Sequence, residues 1–130
     1  MRSGLIRGLQ LVMGDFWPGN VVLRFGEGDE VEQVYVLDWE LCRPGIVGME
    51  VGQFCAELVL LGRFGAGERA QRVLDGFLEG YRGQMKVDEE MWRQTVVHMG
   101  VHGVVMAPRI WGDRGKIVRE GLRLVLAGKG

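Results

Sequence analysis

Residues 13–20 read MGDFWPGN and residues 34–40 read VYVLDWE. Asp15 and Asn20 stand five positions apart on one stretch, and Asp38 follows Asn20 by eighteen. A loop acid can take the proton of an attacking hydroxyl. An amide oxygen and a second carboxylate are hard donors suited to Mg²⁺, which takes only one or two carboxylates from a protein and keeps several waters. Transfer of a phosphoryl group asks for such parts: a positioned nucleophile and a metal ion against the phosphates.

The elements around these residues must bring them together. Gly14, Pro18 and Gly19 punctuate regular structure, so MGDFWPGN reads as a loop. Residues 11–13 form a short strand before it, and Ser3 caps a lead-in helix bearing Leu5, Ile6 and Leu9. Residues 21–25 (VVLRF) and 31–37 alternate as strands, and 26–30 (GEGDE) is the polar turn of a hairpin between them. Pairing of those strands returns Asp38 to the side of Asn20. After Pro44 and Gly45 the period becomes helical, with Val47, Val51, Phe54, Cys55, Leu58 and Leu61 on one face. Gly62 and Gly65 end that helix. A second carries Ala70, Val73, Leu74, Phe77, Leu78 and Tyr81. A third is capped by Asp88, has Glu89 and Glu90 in its first turn, and runs to about Met106, where Pro108 stops it. Asp113 caps a last helix with Ile117, Val118, Gly121, Leu122 and Val125. The fold class expected is α+β in one domain: a lead-in over 1–12, the loop, hairpin and second acid over 13–40, and about four helices over 46–128.

A chain of 130 residues with 47% apolar and 25% charged residues is long enough for one core. The net charge of −1 makes no case for nucleic acid or an anionic membrane surface. Cys42 and Cys55 make no disulfide framework, and reduced buried thiols are the simpler reading. No apolar run approaches membrane-spanning length, and MRSGLIRGLQ lacks the apolar stretch of a signal peptide, so a reducing cytoplasmic setting is expected. Glycine is abundant, at 22 residues. Gly76, Gly80, Gly100, Gly103 and Gly121 fall inside helical segments, each at a cost of roughly 1 kcal/mol against Ala. Modest stability is expected from them.

The kinase signature separates a loop acid from an Asn by four residues and places a metal-binding acid after a hairpin. Asp15-FWPG-Asn20 followed by Asp38 has that order. The two segments together resemble the aminoglycoside phosphotransferase and choline kinase superfamily, whose hallmark is HGDxxxxN and then IDWE or IDFE. The wording DFWPGNVVL, VYVLDWELCRPG, EVGQFCAEL and FLEGY is similar in particular to fungal kinase-like members, over about residues 5–112. The resemblance implies a protein-kinase-like fold, with this chain equivalent to part of the C-terminal lobe. It implies ATP as phosphoryl donor, Mg²⁺ as metal and a small-molecule hydroxyl as acceptor. Asp15 would be the catalytic base or the acid that orients the acceptor. Asn20 and Asp38 would hold Mg²⁺, Trp39 would fill the aromatic place beside the metal acid, and Glu40 would be a second acid of open role. Glu50 matches a position that is commonly Asp and braces the catalytic loop.

Two departures accompany the resemblance. Met13 replaces the His of HGD and would fill its space without its hydrogen bond. Only fourteen residues precede Asp15 in this sequence, whereas the family places an ATP-binding lobe with a phosphate-covering loop and a lysine upstream. The isolated chain is therefore expected to be a poor catalyst or none. The alternatives are a non-catalytic, pseudokinase-like interaction module, binding a partner chain or itself through an uncovered cleft face, and a metal-dependent hydrolase built on Asp15, Asn20, Asp38 and Glu40. His98 and His102 have metal-pair spacing, but HMGVH is not HExxH, and helix histidines without a metal are the simpler reading. Residues 112–116 (GDRGK) are too short for a phosphate loop and read as a helix cap. Gly26 and Gly28 belong to a turn, and Arg43, Arg63, Arg69 and Arg72 to solvated faces or local ion pairs.

Overall fold

The computed structural model describes residues 9–112 and 115–128. Among these residues, four short strands form two separate antiparallel pairs. β1 (Leu9–Val12) pairs with β4 (Arg43–Ile46), and β2 (Val21–Phe25) pairs with β3 (Val31–Val36). Four helices follow: α1 (Val47–Leu61), α2 (Glu68–Gln84), α3 (Glu89–Ile110) and α4 (Lys116–Ala127). The architecture is α+β.

The hairpin follows from its sequence. β2 (VVLRF) and β3 (VEQVYV) are rich in β-branched and aromatic residues, and Asp29 and Gly28 adopt left-handed φ of 64° and 95° to turn the chain. The register is Val21 opposite Val36, and a bulge at Arg24/Phe25 absorbs one extra residue. The β1–β4 pair was not legible. Arg43-Pro44-Gly45-Ile46 reads as a break, yet it forms a strand with Leu11 opposite Pro44 and Leu9 opposite Ile46. Pro44 is tolerated because the pair is only two strands wide, so one side of β4 makes no ladder. Leu9 lies in this strand and not in a lead-in helix; Ser3, Leu5 and Ile6 lie outside the described residues.

α1 buries Val51, Phe54, Cys55 and Leu58 against Leu74 of α2, joined by Phe16, Phe77, Tyr81, Met91 and Met99. Val73 is 53% exposed, off the buried side of α2. α3 lies between α1 and α4. Its Asp88 cap forms as expected, Oδ1 accepting from the Met91 amide at 2.8 Å. The helix then passes Pro108 and reaches Ile110. Pro108 forgoes its own N–H bond one turn back, yet the Trp111 amide still donates to the Ala107 carbonyl at 3.1 Å, so helical bonding continues past it; the reversal comes at Gly112, at φ 66°. α1 ends at Leu61 with Gly62 as its cap, as its sequence predicts. The chain continues through a π-helical turn, Gly62–Ala66, and breaks at Gly67, at φ 53°. Asp113 lies outside the described residues, as does the middle of 112–116.

The helix glycines are not uniformly weak points. A Cβ on Gly100 would stand 2.4 Å from the Gly121 carbonyl oxygen, and one on Gly121 would stand 2.6 Å from that of Gly100. α3 and α4 cross backbone to backbone there, which only glycine permits. Among the described residues, no helix is long and apolar enough to cross a membrane.

Candidate functional site

Three consecutive residues of the loop are gripped by one face of α1. The Gly14 amide donates to Glu50 Oε1 at 2.8 Å. Gln53 Nε2 donates to Asp15 Oδ1 at 3.0 Å. Phe16 stacks on Phe54, ring centroids 4.5 Å apart and planes 13° from parallel, with Phe77 beyond. Positions 50, 53 and 54 share a face because the helix repeats every 3.6 residues. Glu at position 50 reaches the Gly14 amide despite its extra methylene relative to Asp. Gly14 itself has φ 89°, and a Cβ there would lie 2.4 Å from the Leu41 carbonyl oxygen. The loop can approach the turn after Asp38 this closely only with glycine at that point.

Asn20 closes the loop from the other side. Its Nδ2 donates to the Asp15 carbonyl oxygen at 3.0 Å and stands 3.5 Å from Asp15 Oδ2. That commits the amide nitrogen inward, and among the described residues no side-chain bond engages Oδ1. Asn20 ends a 3₁₀ turn, Pro18–Asn20, and its carbonyl accepts from the Leu37 amide at 2.9 Å. The residue after Leu37 is Asp38, so hairpin register and this bond set Asp38 beside Asn20. Asp38 is exposed, left-handed at φ 68°, and its side chain makes no capping bond to the 3₁₀ turn Trp39–Leu41. A carboxylate and an amide oxygen are hard donors of the kind Mg²⁺ takes, so the chemistry of Asp38 and Asn20 fits that ion. Trp39 donates Nε1 to the Val36 carbonyl at 2.7 Å and is half exposed; Glu40 is exposed. Met13 is buried, 2% exposed, and fills the interior beneath the loop.

Sequence reasoning missed two groups. Gln53 holds Asp15, and its signal was its place one turn after Glu50. Glu57, another turn along, is 7% exposed and bonded at 2.6 Å to His102 Nε2. The His98 and His102 rings are 6.4 Å apart, and His98 has its pKa lowered, first by burial and then by His102. Among the described residues no three of His, Cys, Asp and Glu gather as a metal site.

A pocket of about 270 Å³ opens beside Asp15, lined also by Trp17, Gln53, Glu57, His102, Met106, Ile110 and Trp111. A second, of about 320 Å³, lies on the other side of Gln53, between β1, β4 and α1, with Gly14, Arg43, Glu50 and His98 on its walls.

Residues 7–94 match the model of the phosphotransferase enzyme family. A 4-hydroxytryptamine kinase of Psilocybe cubensis is 34% identical over 73 residues, which is 55% of this chain and 20% of that protein. A 4-hydroxytryptamine kinase of Psilocybe cyanescens is 27% identical over 117 residues, 86% of this chain and 32% of that protein. The chain thus spans a third or less of the length of these curated relatives.

Proposed function

Because the chain belongs to the phosphotransferase enzyme family, we propose that its loop and hairpin are the acceptor-activating and metal-binding part of an ATP-dependent kinase for small hydroxyl compounds, the C-terminal-lobe portion of such an enzyme. The observation that carries this reading is the convergence on one loop: Asp15 fixed by Gln53, Asn20 folded back onto Asp15, and Asp38 delivered beside Asn20 by the hairpin.

In this reading Asp15 orients the acceptor hydroxyl and receives its proton. The hydroxyl oxygen forms the new P–O bond as the bond to ADP breaks. Gln53 keeps Oδ1 occupied, so Asp15 cannot swing, and positions Oδ2 for the hydroxyl. Asn20 Oδ1 and the Asp38 carboxylate would hold Mg²⁺, which neutralises phosphate charge when bound. Glu50, through the Gly14 amide, keeps the loop seated. The relatives' name, 4-hydroxytryptamine kinase, supports an aromatic hydroxyl as the acceptor.

Calorimetric titration of Mg-ATP into the full chain and into Asp38→Ala tests the metal half. Magnesium-dependent nucleotide binding by the wild type, lost in Asp38→Ala, is expected. Binding that is indifferent to magnesium or to Asp38 would remove the metal assignment. Asp15→Asn should retain that binding while losing any transfer to acceptor.

A further inference from the structure

The pocket on the other side of Gln53 has no part in phosphoryl transfer as proposed, yet it reaches the same loop. It measures about 320 Å³ and lies between the β1–β4 pair and α1, with His98 of α3 on its wall. Gly52 lets α3 come this close: a Cβ there would stand 2.9 Å from that of His98. Leu9, Val12, Ile46 and Met49 supply an apolar lining, and Arg43, Glu50, Gln53 and His98 the polar groups. Two of those four hold the loop with one atom and have another to spare. Glu50 Oε1 accepts from the Gly14 amide, and Gln53 Nε2 donates to Asp15. Among the described residues, no hydrogen bond engages Glu50 Oε2, Gln53 Oε1 or either ring nitrogen of His98.

From this convergence we infer that the pocket is a second ligand site, which takes a neutral primary carboxamide on a compact apolar body, and that its occupant stiffens the loop. The balance of charge sets the class. Arg43 and Glu50 bring one charge of each sign. Burial, and His102 nearby, keep His98 neutral at pH 7. A net cation or anion therefore gains little over a neutral molecule. Glu50 Oε2 and Gln53 Oε1 are both acceptors, on neighbouring turns of α1. A primary amide offers two N–H groups to them, and its carbonyl oxygen is left for the Arg43 guanidinium or the imidazole N–H. A few convergent polar groups on an apolar lining are the usual make-up of a small-molecule pocket, and this size holds a single ring. The coupling follows from the shared residues. A donor on Gln53 Oε1 fixes the side-chain amide with Nε2 toward Asp15, and a donor on Glu50 Oε2 holds the carboxylate beneath Gly14. The loop orders both side chains for the ligand, and the ligand orders them for the loop, so each favours the other.

Benzamide, N,N-dimethylbenzamide and benzoate test this on the isotope-labelled full chain, titrated at pH 7 without nucleotide and read by amide chemical shifts. Benzamide should bind at least about tenfold more tightly than the other two, which lack its N–H groups. Its shifts should centre on Gly14, Gln53 and His98, and at saturation it should slow exchange of the Gly14 amide several-fold. Met49→Trp, at a lining position 43% exposed, should weaken benzamide by filling the space. No binding of benzamide, equal affinity for the three compounds, or shifts centred on His102 and Trp111 in the other pocket would overturn the site, and none of these outcomes depends on how a variant folds. Gly14 exchange that ignores bound benzamide would overturn the stiffening. Mg-ATP binding and its loss in Asp38→Ala are separate measurements, so this inference and the proposed function fail independently.

Discussion

Removing the Glu50 carboxylate should loosen the loop that holds Asp15. The bond from the Gly14 amide to Glu50 Oε1 is 2.8 Å and partly buried. A hydrogen bond to a charged group contributes about 1.5–3 kcal/mol, and an amide left unpaired in such a place costs about 1–3 kcal/mol. These describe one loss from two sides and are not added. Partial burial lets water replace some of the contact, which places Glu50→Ala at about 2 kcal/mol. A loss of 1 kcal/mol lowers the melting midpoint of a chain of this size by roughly 3–5 °C, so the fall should be about 6–10 °C. Glu50→Gln keeps an acceptor oxygen at the same reach and loses only the charge, so about half that effect is expected. Thermal unfolding measures the series, and exchange of the Gly14 amide reads the loop directly: protected in the wild type, fast in Glu50→Ala. A second readout lies on α2. The Tyr81 hydroxyl has its pKa raised, first by burial and then by the Glu50 charge. Both variants remove the second cause alone, so Tyr81 should ionise at lower pH than in the wild type and still above its ordinary value. Glu50→Ala unfolding within about 0.5 kcal/mol of the wild type, with Gly14 exchange unchanged, would refute the bracing of the loop by α1.

Gly100→Ala should destabilise by about 1–3 kcal/mol despite its better helix propensity, because its Cβ meets the Gly121 carbonyl, whereas Gly76→Ala, with nothing within 4 Å, should gain about 0.5–1 kcal/mol; urea midpoints decide both. The Cys55 thiol is pushed up to about 11 by burial, while Cys42 is exposed. A thiol reagent at mildly alkaline pH should therefore label Cys42 at once and Cys55 only on unfolding. His98 resists protonation in the folded state, since its pKa lies below the unfolded value of about 6.5. The unfolded chain then binds the extra proton, so this contribution is present at neutral pH and is lost as pH falls below about 6.5. His98→Gln should flatten the fall in urea midpoint between about pH 7 and 5, and an unchanged slope would exclude the histidine as its source.

The features legible along the chain are those encoded in neighbouring residues. The β2–β3 register, the polar turn, the Asp88 cap and the apolar face of α1 are local signals of alternation, turn chemistry and helical period. They are enough to set Asp38 beside Asn20, because a hairpin leaves little choice of register. Tertiary structure decided what lies far apart along the chain. β1 finds β4 across more than thirty residues. Glu50 stands out only through the family resemblance, Gln53 gains its role only when the loop is laid across α1, and Glu57 only when α3 brings His102 to it. The glycines of α3 and α4 look like a helix penalty until their backbones meet. Periodicity tells which residues share a face. What that face meets depends on how the helices pack, because a polar side chain is buried only where another element brings it a partner.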